Sequence, residues 1–424
     1  MSGIVRKNGE IARPCALGSA HHGAHRGARR GPGRRRRLWA AALLALAACA
    51  ASALTAAAPA AAATVTLQLS QASVVYGGAV VAGGLVDPAV EGQEVVVALA
   101  GVDVGVALTD ATGAYALEFT PARSGDVVAR LSADGTLGPA VPLVVRPAVD
   151  VTHGKLIPFL RARFVLNVGP AVYDSAVTAR VFHHDRRVAT VRGRVRDGRA
   201  VLLVPLRGIG WFNVRFALEP TAAYGAREVK KTVKLEWRRL AVGSKGLRVK
   251  GVLVQLRRLR ICTPGTGTTY TRQVADAVVC FQKTYRVARD YIMNEADWRK
   301  LDRATLVKPR YGSPARHLEI DEGRQILMLV RDRAVIGVVP VSTGATGNTP
   351  EGAFRILAKN PVSATYDGTV PLPRFMTFYG EMGIHGYPVV PPYPASHGCV
   401  REPLWVCDWV YDRAFVGERL YLYY

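Results

Sequence analysis

Short β-type segments dominate the chain before residue 240. From 64 to 148, runs rich in Val, Ala and Thr alternate with turns that contain Gly and Asp. The pattern continues from 149 to 239, where Asp197-Gly198 is typical of a hairpin turn. Strands at such short spacing indicate antiparallel sandwiches. We therefore expect two all-β modules, 64–148 and 149–239.

Between residues 240 and 304 the apolar positions take the period of a helix. Two faces stand out, one formed by Leu253, Leu256 and Leu259, the other by Val274, Ala277, Val278 and Phe281. Cys262 and Cys280 lie in this segment and could form a disulfide in an oxidising setting. Two separate buried thiols are the alternative.

The chain returns to a β pattern from 315 to 424. Residues 317–330 and 334–342 flank Arg331-Asp332-Arg333, which predicts a hairpin, and residues 375–379 predict a further strand. After Glu402 the pattern predicts a helix through Trp405, Trp409 and Tyr411. Pro403 is acceptable in its first turn.

The N-terminal 63 residues have the pattern of an export signal. Residues 1–37 carry ten basic side chains and one acid, and residues 38–63 are uncharged and rich in Ala and Leu. A cleaved signal is favoured, and a retained membrane anchor is the alternative. Leu46-Ala47-Ala48-Cys49 resembles a lipobox, which keeps lipid anchoring at Cys49 open. In each case we expect the remaining chain outside the cytoplasm, in the cell wall or periplasmic space.

Composition then limits the partners. The 424 residues include 56 Lys and Arg against 32 Asp and Glu, a formal charge of +24, and 49% are hydrophobic, which excludes a mostly disordered chain. Six cysteines are too few for a disulfide-dense scaffold. Residues 149–239 hold 18 basic and 7 acidic side chains. Because the protein is expected to be exported, nucleic acid is excluded as the main partner, and an anionic cell-wall polymer fits the charge.

Arg192, Arg194 and Arg196 alternate along one predicted strand. Residues two apart share a face, so the three would form a basic stripe. The stripe is either an ordinary solvated strand face or a contact with an anionic surface.

The candidate chemistry lies near Cys399. This cysteine follows Gly398 in a loop just before the predicted helix, where the helix dipole would stabilise a thiolate. Upstream, His385 lies in a predicted turn between Gly383 and Gly386, which let the backbone approach closely. A Cys and a His are the minimum for a nucleophile with a general base. The amides of Gly398 and Cys399 could hold an oxyanion.

Two other interpretations use the same residues. Cys399 could be a structural thiol and His385 an ordinary loop histidine. Alternatively, His385, His397 and Cys399 could bind zinc. However, the spacing of His397 and Cys399 is tighter than that of usual chelating pairs, and a fourth ligand is not evident.

Ile384-His385-Gly386 followed by Ser396-His397-Gly398-Cys399-Val400-Arg401 resembles the signature of the L,D-transpeptidase catalytic (YkuD-like) family. Thr349-Pro350-Glu351-Gly352 and Met376-Thr377-Phe378 are further similarities, and the resemblance covers about the last quarter of the chain. Many members have Asn where this chain has Arg401. The family implies a mostly β catalytic domain that acts on peptidoglycan stem peptides without a metal or organic cofactor.

The resemblance also implies roles. Cys399 would attack the carbonyl between the third stem residue and D-alanine, D-alanine would leave, and an amine of another stem would resolve the thioester into a 3→3 cross-link. His385 would accept and donate the proton, and His397, Gly398 and Cys399 would line the oxyanion site. Ser396 would orient the loop. The implied substrate-binding side is formed by Arg401, Gly386, Met376, Phe378 and Tyr366.

Two weaker resemblances concern the other segments. Residues 109–115 resemble bacterial Ig-like repeats, and residues 245–249 with 277–282 resemble the three-helix peptidoglycan-binding domain family. The predicted fold is therefore multidomain. It contains two Ig-like β-sandwich modules, a small three-helix domain (240–304) and a mostly β L,D-transpeptidase-type domain (315–424).

The sequence thus predicts an exported peptidoglycan L,D-transpeptidase. One alternative is an L,D-carboxypeptidase, or an enzyme that attaches protein to the stem, through the same thioester. Another is a wall-binding protein without catalysis.

Overall fold

A computed structural model describes residues 62–365 and 368–424. Residues 1–61, which hold most of the predicted export segment with Cys49, and Tyr366 lie outside the described residues. The described chain is mostly β and forms two compact units, one ending at Arg146 and the other running from Pro147 to Tyr424. None of the helices in the described ranges is both long and apolar enough to cross a bilayer.

The unit that ends at Arg146 is built of short strands in two sheets. The strands are β1 (Thr64–Val65), β2 (Gln68–Leu69), β3 (Ser73–Val75), β4 (Val80–Asp87), β5 (Glu94–Leu99), β6 (Val102–Leu108), β7 (Ala114–Phe119), β8 (Gly125–Leu131) and β9 (Val141–Arg146). In one sheet β4 pairs with β1, β2 and β7, and the other has the order β3-β9-β8-β5-β6. Buried positions alternate along β8 and β9, as in strands with one face toward a core.

The second unit begins with two more sheets. Their strands are β10 (Ala148–His153), β11 (Arg161–Gly169), β12 (Ser175–His183), β13 (Arg186–Val195), β14 (Arg199–Pro205), β15 (Gly210–Leu218) and β16 (Arg227–Leu235). The orders are β10-β11-β14 and β13-β12-β15-β16. Asp197 and Gly198, with φ of 49° and 65°, form a tight turn from β13 to β14. The predicted turn is therefore present, but it connects strands of different sheets.

The basic stripe lies along the edge strand β13 and the residue that follows it, since β13 ends at Val195. Arg192, Arg194 and Arg196 are all exposed, whereas Val195 between the last two is buried. Arg194 Nε lies 2.6 Å from Asp174 Oδ1, which partly neutralises the middle of the stripe. The shared face that the sequence predicts is therefore present in the fold.

Three helices follow, α1 (Leu247–Arg258), α2 (Arg272–Tyr285) and α3 (Glu295–Arg303). Both predicted apolar faces are buried. The start of α2 is capped by the Thr271 side chain, and α3 begins with a capping box between Asn294 and Asp297.

The C-terminal part adds two sheets and a helix. Its elements are β17 (His317–Asp321), β18 (Ile326–Arg331), β19 (Ala334–Pro340), β20 (Gly352–Arg355), β21 (Ala358–Ala364), β22 (Pro371–Tyr379), β23 (Met382–Tyr387), β24 (Val400–Pro403), α4 (Leu404–Tyr411) and β25 (Arg419–Tyr423). One sheet has the order β19-β18-β17-β25-β20, and the other has the order β21-β22-β23-β24. The hairpin at 331–333 and the helix after Pro403 lie where the sequence predicts them.

Strand β18 connects the helices to these sheets. Ile326, Met328 and Val330 belong to the apolar core that contains the three helices. Leu327 and Leu329 belong to the core that β18 shares with β22, β23 and α4. Because both faces of β18 are covered, the run Ile-Leu-Met-Leu-Val is apolar throughout rather than alternating.

The disulfide between Cys262 and Cys280 is not formed in this structure. Both residues are buried thiols. Cys280 packs among the helices, whereas Cys262 packs in the core of the C-terminal sheets. The two thiols therefore pack in different apolar clusters. The structure corresponds to the alternative of two separate buried thiols.

Candidate active site

Two neighbouring parallel strands carry the candidate chemistry. Strand β23 holds His385, β24 begins one residue after Cys399, and Ile384 pairs with Val400 in the register between them. The predicted turn around His385 is wrong, since His385 lies inside β23. Cys399 also does not precede a helix directly, because β24 separates it from α4. The predicted stabilisation of a Cys399 thiolate by the dipole of a following helix therefore has no basis in the structure.

The register gives His385 and Cys399 a common face of the sheet. The same register, extended by one position, places Cys399 beside Gly383, whose backbone lowers the pKa of the Cys399 thiol. Gly383 and His385 are two residues apart in β23 and so point to the same side. The ring of Phe375, from β22, stacks on that side with its centroid 5.8 Å from the His385 ring. Pairing of β23 with β24 thus places the two predicted reactive residues on one face of the sheet, on neighbouring strands.

The His385 ring is held in one orientation. Its Nδ1 lies 3.0 Å from the carbonyl oxygen of Gly386. Since a carbonyl only accepts, Nδ1 carries the proton, and in the neutral ring Nε2 keeps its lone pair. Burial lowers the pKa of His385 below its ordinary 6.5, and the positive charge of Arg401 lowers it further. The ring is therefore a neutral base at neutral pH.

Cys399 is a thiol rather than a thiolate in this structure. Burial raises its pKa above the ordinary value, while the Gly383 amide and the charge of Arg401 oppose that rise. A half-buried thiol with a raised pKa needs a neighbouring base to remove its proton when it attacks. The lowered pKa of His385 and the raised pKa of Cys399 thus suit proton transfer during the reaction.

The loop before Cys399 is fixed by its own serine. Ser396 Oγ donates to the carbonyl oxygen of Cys399 and accepts from the Gly398 amide at 3.1 Å. The Ser396 amide donates to Thr343 O at 3.0 Å. These bonds hold the loop in place, and the role of Ser396 in the reaction stays a prediction.

Two further side chains hold the same loop, and sequence reasoning did not assign them a role. Thr349 Oγ1 donates to Gly398 O at 2.8 Å. Asn348 Nδ2 donates to His397 O at 2.7 Å. Thr349 is the first residue of the Thr-Pro-Glu-Gly motif, and this motif is the sequence feature that could have indicated a role for it. By fixing these carbonyl groups, the two side chains also fix the direction of the amides in the loop.

The amides available for an oxyanion differ from the prediction. The Gly398 amide is occupied by Ser396 Oγ. In the described part of the chain, the amides of His397 and Cys399 have no hydrogen-bond acceptor. The His397 side chain is exposed. The amides of His397 and Cys399 are therefore the ones in this loop that are left for an oxyanion, and Gly398 shapes the loop at φ 135°.

Arg401 contacts the loop as well as the site. Its Nη1 donates to Ala395 O at 3.0 Å, and its guanidinium lies 4.3 Å from the centre of the Tyr387 ring. The side chain thus stabilises the loop and places a positive charge near Cys399. Contact with a stem carboxylate remains a prediction.

The other predicted substrate-binding residues do not form one wall. Met376 and Phe378 are buried in the apolar core with Ile384 and Val400, on the opposite side of β22 and β23 from His385. Side chains alternate along a strand, so Phe375 faces His385 in place of Met376. Gly386 orients His385 through its carbonyl, and a Cβ at this position would lie 2.8 Å from Cys407 Sγ.

Two buried groups lie behind the site, on the side of α4. Burial raises the pKa of Cys407 to about 12, and its thiol donates to Leu404 O at 3.2 Å. Burial raises the pKa of Glu402 well above its ordinary value, and the nearby Asp408 carboxylate raises it further. Cys407 is therefore a packing thiol.

Side chains from the helical segment hold the chain leading to Ser396. Lys283 Nζ donates to Pro391 O at 3.2 Å and to Val341 O at 2.8 Å. Arg289 donates to Pro392 O at 2.9 Å, and Tyr291 OH donates to Val390 O at 3.3 Å. We call Lys283, Arg289 and Tyr291 the loop clamp. Nothing in their local sequence indicates this contact, since it joins residues about 100 positions apart.

Metal ligands are not assembled around Cys399. Within the described ranges, a single group of three His, Cys, Asp or Glu side chains is close enough to share an ion, His183, His184 and Asp302. His385, His397 and Cys399 do not form such a group, so the zinc alternative has no support at this site.

Comparison with known proteins concerns mainly the C-terminal part. Residues 315–421 match the family model of the L,D-transpeptidase catalytic domain, YkuD. No curated protein matches the sequence. Solved structures that resemble the chain include an L,D-transpeptidase from Xylanimonas cellulosilytica, with 27% identity and a TM-score of 0.43, covering 45% of this chain and 100% of that one.

Two others are more distant. An L,D-transpeptidase from Stackebrandtia nassauensis is 21% identical, with a TM-score of 0.30 and coverage of 44% of this chain and 95% of that one. An L,D-transpeptidase from Mycobacterium smegmatis is 13% identical, with a TM-score of 0.25 and coverage of 65% and 100%. The family match confirms what the motifs predict for the end of the chain: residues 315–421 are an L,D-transpeptidase catalytic domain of the YkuD family.

Proposed function

We propose that the protein is an exported peptidoglycan L,D-transpeptidase that forms 3→3 cross-links. The observation that carries the proposal is the match of residues 315–421 to the catalytic family, because this range contains both His385 and the Ser396–Arg401 motif. The common sheet face of His385 and Cys399 supports it. The cell wall or periplasmic space is the proposed location, in line with the basic and then apolar N-terminal sequence.

In the proposed reaction, His385 Nε2 takes the proton from Cys399 as the sulfur attacks the carbonyl before D-alanine. The developing oxyanion accepts hydrogen bonds from the amides of His397 and Cys399. As the tetrahedral centre collapses, His385 returns the proton to the departing amine, and D-alanine leaves a thioester on Cys399. A stem amine then attacks the thioester, restoring the thiol and forming the cross-link.

Replacing the nucleophile tests the reaction. We expect Cys399→Ala to abolish formation of 3→3 dimers from disaccharide-tetrapeptides, measured by mass spectrometry of the products. The matched control is Cys407→Ala, which removes a thiol that only packs and should leave the reaction in place. Unchanged cross-linking by Cys399→Ala would disprove the proposal.

The same products distinguish the alternatives. Tripeptide stems without dimers would identify a carboxypeptidase, and stems joined to protein would identify an attachment enzyme. Intact-mass measurement after mixing with a carbapenem gives a separate test, since the family resemblance implies acylation of the Cys399 thiol. A protein that binds isolated walls but gains no adduct would be a wall-binding protein without catalysis.

A further inference from the structure

A second cluster of reactive side chains lies in the unit from Pro147 to Tyr424, on the β-sheets and α3. His183 ends β12, His184 follows it in the turn to β13, and Asp302 is near the end of α3. Asp302 Oδ2 is 3.3 Å from His183 Nε2 and 3.4 Å from His184 Nε2. The cluster therefore joins residues that are 118 and 119 positions apart in the chain.

The donor atoms have the spacing of a metal site. Zinc binds His nitrogen and carboxylate oxygen at about 2.0–2.2 Å, so two ligands of a tetrahedral ion lie roughly 3.3–3.5 Å apart. The two nitrogen-to-oxygen distances agree with that separation, and all three donor atoms lie within 4.8 Å of one another.

The orientation of His183 is also that of a ligand. Its Nδ1 lies 3.0 Å from Trp211 O, which only accepts, so Nδ1 carries a proton and the neutral ring presents the lone pair of Nε2. Metal-bound histidines usually donate their other ring N–H to a carbonyl or carboxylate in this way. Trp211 thus supplies the outer hydrogen bond that fixes a ligand ring.

One oxygen of the Asp302 carboxylate is available to bind a further group. Only 5% of the Asp302 side chain is exposed, and its Oδ1 is buried without a hydrogen-bond partner among the described residues. A buried carboxylate oxygen without a partner is costly and calls for a cation or a donor. The lack of a side chain at Gly208 leaves room beside this carboxylate. A Cβ at that position would lie 2.0 Å from Asp302 Oδ1 and 2.9 Å from His183 Nε2.

The cluster also borders an opening. His184 and Asp302 line a cavity of about 780 Å³ together with Arg238, Arg239 and Arg303. Sites with three protein ligands commonly keep a fourth position for water or another small ligand. The cavity provides that access, and its arginines favour an anionic oxygen at the fourth position.

We propose that His183, His184 and Asp302 bind one divalent transition-metal ion, with Zn²⁺ as the representative ion. Two imidazoles and one carboxylate form a donor set suited to zinc and its neighbours in the first transition series. The bound ion links the turn after β12 to α3, and so joins the basic β-sheets to the helical segment. The site is separate from Cys399 and does not depend on the proposed cross-linking activity.

The test is titration of the untagged full chain with Zn²⁺, in which calorimetry measures the stoichiometry and the Kd. We expect one ion per chain with a Kd below about 10 µM, and a rise in unfolding temperature with added zinc. Cys399→Ser should bind with unchanged stoichiometry and affinity, which assigns the ion away from the catalytic thiol. Binding that disappears in Cys399→Ser would overturn the proposal.

Two variants test the ligands without large changes in packing. His184→Ala removes an exposed ring, and Asp302→Asn keeps the shape of the buried side chain. Each should weaken Zn²⁺ binding by more than about 100-fold, since loss of an outer partner alone typically costs about 10- to 100-fold. The matched control His153→Ala, which removes an exposed histidine outside the cluster, should bind like the wild type.

A spectroscopic reading separates ligation from a general effect on folding. Co²⁺ in place of Zn²⁺ should give visible ligand-field bands in the wild type that are lost in His184→Ala and Asp302→Asn. Wild-type protein that binds neither ion, or variants that bind both as well as the wild type does, would leave the cluster as an ion-paired histidine group and overturn the proposal.

Discussion

The protonation state of His385 follows from where its ring lies. Its side chain is buried in the middle of β23 against Phe375, and its Nδ1 proton is held by the Gly386 carbonyl. Burial disfavours the charged imidazolium, so the pKa falls and the base remains neutral at a lower pH than a histidine in water.

The pH dependence of acylation tests this environment. The rate at which a carbapenem acylates Cys399 should fall in acid as His385 becomes protonated, by about tenfold per pH unit well below the midpoint. Because the pKa of His385 is lowered, the midpoint should lie below 6.5. The measurement is intact mass against time across pH 4 to 8. A midpoint above 6.5 would contradict the buried, neutral base.

Replacing Arg401 should change the pKa of His385 in a defined direction. Its positive charge contributes to the lowered pKa of His385. Arg401→Gln should therefore move the acid midpoint upward, toward the value of an ordinary histidine. An unchanged midpoint in this variant would assign the shift to burial alone.

At single residues, the sequence identifies reactive groups better than it identifies their surroundings. The Ser-His-Gly-Cys-Val-Arg motif singles out Cys399, but Met376 and Phe378 lie in the core while Phe375 faces His385. The alternation of a strand gives two sets of side chains without saying which set faces the site. That choice depends on pairing with β23, which local sequence does not reveal.

At the level of elements, the helical segment supports the catalytic loop. The loop clamp, Lys283, Arg289 and Tyr291, donates to the carbonyls of three consecutive residues, 390 to 392, just before Ser396. Burial lowers the pKa of Lys283 to about 7, so this ammonium group sits where charge is costly and its bonds to carbonyl oxygens matter.

Removing one hydroxyl tests the clamp. Tyr291→Phe should slow carbapenem acylation by roughly 2- to 10-fold, the equivalent of one hydrogen bond of about 0.5–1.5 kcal/mol. Tyr285→Phe is the matched control, because the Tyr285 hydroxyl donates to Thr305 O, away from the loop. Equal effects of the two variants on the rate would show that the hydroxyl to Val390 has no particular role.

Elements were predicted well where local pattern decides them. The faces of α1 and α2, the hairpin at 331–333 and the start of α4 follow from periodicity and turn chemistry. The turn proposed for His385 failed because glycines at 383 and 386 allow close packing inside a strand: a Cβ at 383 would lie 2.5 Å from Phe375, and one at 386 would lie against Cys407. A glycine indicates a position where neighbouring atoms pack close to the backbone. The sequence pattern alone does not distinguish a turn from a tightly packed strand.

For the molecule as a whole, the charge of +24 is unevenly placed. The arginine stripe along β13 and Arg196 is exposed, and among the residues that the structure describes only its middle member has an acidic partner at short distance, Asp174. Attraction of this face by an anionic wall stays a prediction, with an ordinary solvated strand face as the alternative.

Binding to isolated cell walls tests the stripe. Retention should weaken as salt rises, because exposed charges are screened, and it should weaken further in Arg192→Glu/Arg196→Glu. The control Arg123→Glu/Arg146→Glu makes the same change in net charge at exposed positions of the other unit. Retention on the walls that does not change with salt concentration, or that falls equally in both double variants, would argue against a dedicated basic face.

The strand β18 has a consequence for how such proteins diversify. Its outer residues Ile326, Met328 and Val330 are covered by the helices, so a catalytic domain cut out near residue 315 would expose an apolar strip. Shuffling of gene segments could replace the N-terminal β unit without disturbing this contact. In contrast, the helices and the catalytic domain of this chain share one apolar core, so we expect a separation of the two to cost stability.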